Sequence, residues 1–449
     1  MSKQQRPDTS EGWLPSWVRS WAQDSGLLLI SQLFTVIMTS TLAVLIARSL
    51  GPAEWGVFSA LLGLSLAFSA FVGLGVATWL LRELSSLWAR EGSPGEDTRR
   101  EVGRLLGGTL TINALLGGAL VLAAFGATRI AGWGPDRSLA LVGLTAYAAL
   151  LATTNGLETV FRARRELRLV VLATFLEKSV LLGLIALFLL GGVSHAGIAV
   201  GYVVAGTGRL AFSGISVMLA GIRPSAPSLR TAWQLAKRSL PFALNTTSLY
   251  TIPRLDVFLI AALSAFSAGY FAIGDRIVGP ALLVAASASS ALYPFLARKQ
   301  AGAGSWKAAA LLGLVGALLA AGGIAMAPLL VPAIFGEAFA EAVPTVQVML
   351  LILPFNFFAS GIIAWLYSSG LERRVLLVTA VGGIAGTGAI VAGHALAGAA
   401  GAGGGYLFRQ AFFAVALAAL AFSHERETRV RLRMSQADQS VALTEQKAA

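Results

Sequence analysis

The sequence has no cysteine. That excludes disulfides, thiolate metal sites and a cysteine nucleophile, and it leaves the redox compartment open, because short membrane loops need no covalent staples. Charge is also scarce. Asp, Glu, Lys and Arg make up 12% of the 449 residues, about half the share of a soluble domain. Only three histidines occur, His195, His394 and His424, scattered in loops and at span ends, so no histidine metal cluster is expected. The dipeptide Gly-Lys is absent, which excludes a Walker A phosphate loop. HERET at 424–428 ends in Thr where a zincin helix needs its second His. The run GAAGAGGGY (398–406) lacks a surrounding strand–helix unit and reads as a turn between spans, not as a dinucleotide fingerprint. No strand–turn–helix context frames a serine nucleophile. Neither an enzyme nor a cofactor is expected.

Apolar residues are what the chain has in quantity. They make up 56% of it, and the mean hydropathy is +0.74. A bilayer core about 30 Å thick takes about 20 apolar residues per helix. That ruler gives about twelve spans, near 25–47, 56–81, 105–126, 138–160, 169–191, 196–219, 239–263, 268–294, 308–332, 343–367, 375–396 and 402–422. Lipid offers the backbone no hydrogen-bond partner, and these runs are too long and continuous for barrel strands. The fold class is therefore an all-α polytopic membrane protein. The first 24 residues are polar, and no cleavage site follows the first apolar run. That run reads as a retained signal-anchor helix.

The net charge of +12 would suit nucleic acid, but its distribution argues for a membrane. Alternate connecting segments, with the two termini, hold 26 of the 34 Lys and Arg, and the intervening connections hold three, Arg48, Arg129 and Arg137. By the positive-inside rule both termini lie in the cytoplasm. RARRELR (162–168) and ERETRVRLR (425–433) read as topology anchors at an anionic leaflet. Every external connection is short, so there is no room outside for a catalytic domain.

An internal repeat is visible. LIARSLGPAEWGVFSALLGL (45–64) and LIAALSAFSAGYFAIGDRIVG (259–279) each leave a span on LIA, turn through small residues and restart on Gly plus an aromatic. Gly56 and Gly269 match at an offset of 213 residues, close to half the chain. Two parallel six-span repeats follow, related about the membrane normal. The expected organisation is a cytoplasmic segment 1–24, an N-lobe 25–220, a connector 221–238, a C-lobe 239–422 and a cytoplasmic tail 423–449. Gly103/Gly107 and Gly382/Gly386 are small-xxx-small pairs that read as helix packing.

Ionisable residues inside spans carry the functional signal: Glu177, Lys178, Arg209, Arg254, Asp256, Asp275, Arg276 and Arg409, with Glu158 near a cytoplasmic end. Each costs about 2.5–3.5 kcal/mol on insertion scales and so faces a cavity or a partner. Four of them share one hairpin. With a turn near 264–267, Asp256 and Asp275 fall at equal depth, and Arg254 and Arg276 lie within about two residues of it, roughly 14 Å from the outer tip. Pro253 and Pro280 are candidate hinges, because proline removes a ladder hydrogen bond. Two readings stand. Asp256–Arg276 or Arg254–Asp275 is a structural pair that pins the hairpin, or the charges contact an anionic substrate and exchange partners during transport. At the corresponding place the first half has Ser40, Thr41, Leu62 and Gly63, so the fold itself does not demand charge there.

ARSLGPAEWGVFS (47–59), SLPFALN with YTIPRLDVFLI (239–260) and AGYFAIGDRIV with LYPFLA (268–297) resemble the polysaccharide-biosynthesis flippases. These are the Wzx-like branch of the multidrug/oligosaccharidyl-lipid/polysaccharide exporter superfamily. The resemblance implies two six-helix lobes in a V around a central cavity. It implies a secondary transporter that carries an undecaprenyl-(pyro)phosphate-linked oligosaccharide from the cytoplasmic to the outer leaflet of the bacterial inner membrane by alternating access. Its partners would be that lipid-linked oligosaccharide, membrane lipids and other polysaccharide-assembly membrane proteins, with no nucleic acid. Arg209, Arg254, Arg276 and Arg409 are then the candidate phosphate and sugar ligands, since guanidinium suits phosphate geometry. Asp256, Asp275 and Glu177 are the candidates for proton or cation coupling. A drug exporter of the same superfamily shares the layout, and a non-transporting scaffold of a polysaccharide assembly complex is the alternative from another class.

Overall fold

A computed structural model describes residues 16–73, 75–91, 95–192, 194–250, 252–298 and 303–448. Nearly all of them are helical, and no strand occurs among the described residues. The helices are α1 (Ser16–Gly73), α2 (Val76–Glu91), α3 (Glu96–Ile130), α4 (Pro135–Ala163), α5 (Leu167–Gly191), α6 (His195–Leu219), α7 (Leu229–Tyr250), α8 (Ile252–Leu263), α9 (Ala265–Arg298), α10 (Ala303–Phe335), α11 (Val343–Leu350), α12 (Ile352–Ser368) and α13 (Glu372–Ala448). A short 3₁₀ turn, Glu337–Ala342, precedes α11.

Among the described residues, nine helical stretches are long and apolar enough to cross a membrane. The difference from the expected twelve lies in breaks within helices. α1 is two helices merged across a kink at Gly51, whose φ of 73° suits glycine. α13 is merged in the same way across Ala397 and Gly398. The seventh expected span corresponds to α7 and α8, which end and begin on either side of residue 251, outside the described set.

The chain forms two compact units, Met1–Leu42 with Phe68–Ala243 and Ala43–Ala67 with Leu244–Ala449. The first holds an apolar cluster built from Leu80 and Leu84 of α2, Leu106 of α3, Val160 and Phe161 of α4, and Leu235 of α7. Phe34 of α1 stacks on Phe175 of α5 at 4.4 Å between ring centroids. Gly103 and Gly107 of α3 press against the carbonyls of Arg223 and Ser225 in the connector, and Ser225 N–H donates to the Gly103 carbonyl at 2.9 Å. The packing expected of this pair is thus packing of a helix on a loop.

The second unit holds a cluster of Ile362, Trp365 and Leu366 of α12 with Leu417 and Ala421 of α13. α8 and α9 turn on Ser264, whose hydroxyl accepts from Ser267 N–H at 3.2 Å. Residues 43–67 of α1 pack here. A β-carbon on Gly56 would overlap the carbonyl of Ala265, and one on Gly269 would overlap that of Pro52. The two glycines matched in the sequence repeat therefore meet each other, backbone against backbone.

Gly56→Val is expected to lower stability by about 1–3 kcal/mol through overpacking, read as a lower thermal midpoint in detergent. Gly118→Ala, at a glycine with open space beside it, should leave the midpoint unchanged or raise it.

Candidate functional site

The second unit encloses a cavity of about 280 Å³. Arg254, Asp256, Asp275, Arg276 and Arg409 all line it, together with Ser59, Leu62 and Gly63 of α1, Phe271 of α9 and Tyr406 of α13. Five of the ionisable residues expected within spans thus converge on one space.

Helix geometry explains the arrangement. Arg254 and Asp256 are two residues apart, so they leave α8 in nearly opposite directions. Arg254 turns towards α1 and donates from Nη1 to the Leu66 carbonyl at 2.9 Å. Asp256, 1% exposed, turns towards α13. Its Oδ2 accepts from Arg409 Nη1 at 2.6 Å and its Oδ1 from Thr387 Oγ1 at 3.0 Å. Thr387 and Arg409 belong to the two limbs of α13 on either side of the kink, so one carboxylate ties both limbs to α8. The Arg409 guanidinium also lies 4.6 Å from the centre of the Tyr406 ring. Gly386 makes room for the Arg409 stem, which a β-carbon there would overlap.

Of the pairings considered from the sequence, Asp256–Arg276 gives way to Asp256–Arg409, because α13 packs on the side of α8 that Asp256 faces. Asp275 lines the cavity together with Arg276, Arg409 and Arg254. Arg276 is half-buried. Pro253 stands in the first turn of α8. Pro280 stands inside α9, which continues through it as one helix.

Arg209 and Glu177 do not line this cavity. They belong to the first unit, in a buried ionic network that the sequence did not reveal as a whole. Arg209 Nε and Nη2 donate to the two oxygens of Glu158 at 2.8 and 2.9 Å, and Nη1 donates to Glu177 Oε2 at 2.6 Å. Glu177 Oε1 accepts from Lys178 Nζ at 2.8 Å and from Tyr147 Oη at 2.7 Å. Glu158, Glu177, Arg209 and Lys178 are all at most 9% exposed. Two carboxylates face two buried cations, and every polar nitrogen of Arg209 is engaged. The network fastens α4, α5 and α6 together. Each of the three Arg209 nitrogens donates to a carboxylate within this network.

Ser59, Thr387 and Tyr406 are uncharged, and no spacing rule singled them out. Leu62 and Gly63 were within reach of the repeat, because the offset of 213 residues carries Asp275 and Arg276 onto them.

Arg209→Met should destabilise the protein by about 3–5 kcal/mol, because it takes from two buried carboxylates the guanidinium they share, leaving Glu177 with Lys178 and Tyr147 and Glu158 with Arg162. Arg276→Gln, a change at a half-buried residue with no ion pair among the described residues, should shift stability by under about 1 kcal/mol. Thermal unfolding of both variants in one detergent checks the contrast.

The comparisons with known proteins agree with this architecture. An inward-facing multidrug resistance MATE family transporter of the MOP superfamily superposes with a TM-score of 0.67 at 14% identity, over 89% of this chain and 96% of that one. Lipid II flippase MurJ, in an inward closed conformation, gives 0.68 at 11% identity, over 88% and 86%. A MOP superfamily transporter from Pyrococcus furiosus, described as having a binding pocket of reversed polarity, gives 0.51 at 14% identity, over 91% and 96%. At such identities the likeness concerns the fold alone. No curated protein matches the chain by sequence. The family model for polysaccharide biosynthesis proteins matches residues 21–300, more than half the chain. The chain belongs to the polysaccharide biosynthesis protein family.

Proposed function

We propose that this protein is a flippase that moves a lipid-linked oligosaccharide, joined through phosphate or pyrophosphate to an undecaprenyl chain, from the cytoplasmic to the outer leaflet of the bacterial inner membrane. Both termini lie in the cytoplasm in this reading, and two helical lobes alternate access to the cavity, with Pro253 and Pro280 as hinges. The observation that carries it is the convergence of Arg254, Arg276 and Arg409 on one cavity. A phosphate that leaves water must exchange its hydration for donors of opposite charge, and guanidinium supplies paired donors at the right spacing. The volume of about 280 Å³ lies at the small end of ligand pockets. It suits a phosphate headgroup better than a whole oligosaccharide.

Asp256 acts here as a positioning residue that fixes Arg409. Asp275, together with Asp256, supplies the carboxylates for ion coupling. Glu177 enters only through the buried network of the first unit. A drug exporter of the same superfamily is the second reading, and it would call for a cavity attractive to cations. Three guanidiniums against two carboxylates disfavour it.

The test uses the purified protein in vesicles with a fluorescent prenyl-pyrophosphate-linked sugar. Arg276→Gln should lower the translocation rate by about 10- to 100-fold, as expected for loss of a hydrogen bond to a charged group, with folding intact. An unchanged rate in that variant, or translocation of an organic cation in place of the lipid-linked sugar, overturns the proposal.

A further inference from the structure

One polar group in the wall of the cavity is idle. Residues 59, 62, 63 and 66 of α1 line the space, a spacing that puts them on one side of a helix. Leu62, Gly63 and Leu66 have no polar side chain, so Ser59 carries the one hydrogen-bonding group that α1 brings to this wall. Ser59 is 8% exposed. Its hydroxyl oxygen is buried and has no hydrogen-bond partner among the described residues.

That idleness belongs to this position. A serine or threonine inside a helix can donate to the carbonyl one turn back. α1 does so at Thr39, Thr41 and Ser49, with oxygen–oxygen distances of 2.7, 2.9 and 2.7 Å. Ser59 does not. Trp55, one turn back on the same side of α1, also leaves its indole N–H without a partner among the described residues, so the two side chains do not satisfy each other. A buried hydroxyl without a partner is a net cost to the folded chain, and it calls for a reason. Ligand binding supplies one. Guanidiniums reach the cavity from α9 through Arg276 and from α13 through Arg409. They only donate, and the non-bridging oxygens of a phosphoryl group only accept. A tetrahedral phosphoryl group presents such oxygens in more than one direction, and towards α1 the hydroxyl of Ser59 is the donor within the wall. Serine changes between staggered positions by turning about Cα–Cβ, so the hydroxyl can swing to a ligand without any movement of the backbone.

Resting on the phosphate reading above, we propose that Ser59 is a ligand-binding residue of the cavity. Its hydroxyl donates a hydrogen bond to a non-bridging phosphoryl oxygen and adds a neutral donor from α1 to the guanidiniums of α9 and α13. Binding gives the hydroxyl the partner that the protein's own side chains withhold.

The experiment uses the full-length protein in detergent. The probe is a short-chain dialkyl phosphate, a phosphoryl group with no sugar attached. Affinity is read by phosphorus NMR titration, and the thermal midpoint is measured without probe. Ser59→Ala should bind the probe about tenfold or more weakly, as expected for loss of a hydrogen bond to a charged group. Its midpoint should be unchanged or higher, because the substitution removes a hydroxyl that has no partner in the fold. Ser49→Ala removes a hydroxyl that α1 satisfies internally and should leave the affinity unchanged. The inference is overturned if Ser59→Ala binds the probe as the wild type does, the result expected where water alone serves the hydroxyl. It is also overturned if Ser59→Ala lowers the midpoint, or if Ser49→Ala weakens binding as much. If the probe does not bind the wild type, the phosphate reading itself falls, and the inference with it.

Discussion

A charged side chain inside a membrane span must find a partner of opposite sign or a path to water, because hydrocarbon supplies neither. This protein meets the constraint in two ways. In the first unit, Arg209 and Lys178 are matched by Glu158 and Glu177, and all four are buried. The guanidinium grips one carboxylate at two points and the second at a third. Arg162 adds a third, partly exposed cation on Glu158 at 3.3 Å, and such a centre is costly to break from one side. In the second unit the charges are not all matched. Asp256 and Arg409 close on each other, whereas Asp275 and Arg276 remain at a cavity. The first arrangement holds helices together, and the second leaves charge available for chemistry.

The local backbone makes both arrangements possible. Arg254 and Asp256 stand two residues apart on α8 and serve opposite neighbours, the Leu66 carbonyl on α1 and Arg409 on α13. The Arg409 stem crosses α13 at Gly386, where any larger residue would collide with it. Thr387, the next residue along, then reaches the same carboxylate. A glycine beside a hydroxyl on one limb thus positions an arginine on the other. The cavity's cation is placed by groups that never need to touch a ligand.

Much of this was legible in the chain. The spans follow from hydrophobic length, and the hairpin depth of Asp256 and Asp275 follows from counting residues away from the turn, so their meeting at one cavity agrees with simple geometry. Partner choice was not legible. Arg409 lies 153 residues from Asp256, and no local rule links α13 to α8. The same holds for Glu158, which looked like a residue near a membrane edge. It is fully buried, because α6 brings Arg209 against it across 51 residues. Breaks inside helices were partly hidden as well. Gly51 and Gly398 interrupt stretches that remain helical on both sides, and hydropathy measures length without registering direction.

The repeat adds a last step. Gly56 and Gly269 match in sequence and touch in space, so the two copies of the motif cross at the same residue. Near such a crossing the copies cannot be furnished alike. The offset carries Arg276 onto Gly63, and a β-carbon at Gly63 would stand 2.9 Å from the Arg254 carbonyl, closer than packed atoms approach. The first copy must therefore stay bare where the second carries its guanidinium. Steric exclusion at one glycine gives the cavity a smooth wall on α1 and a charged wall on α9. That asymmetry separates the two copies of the motif where they meet this cavity.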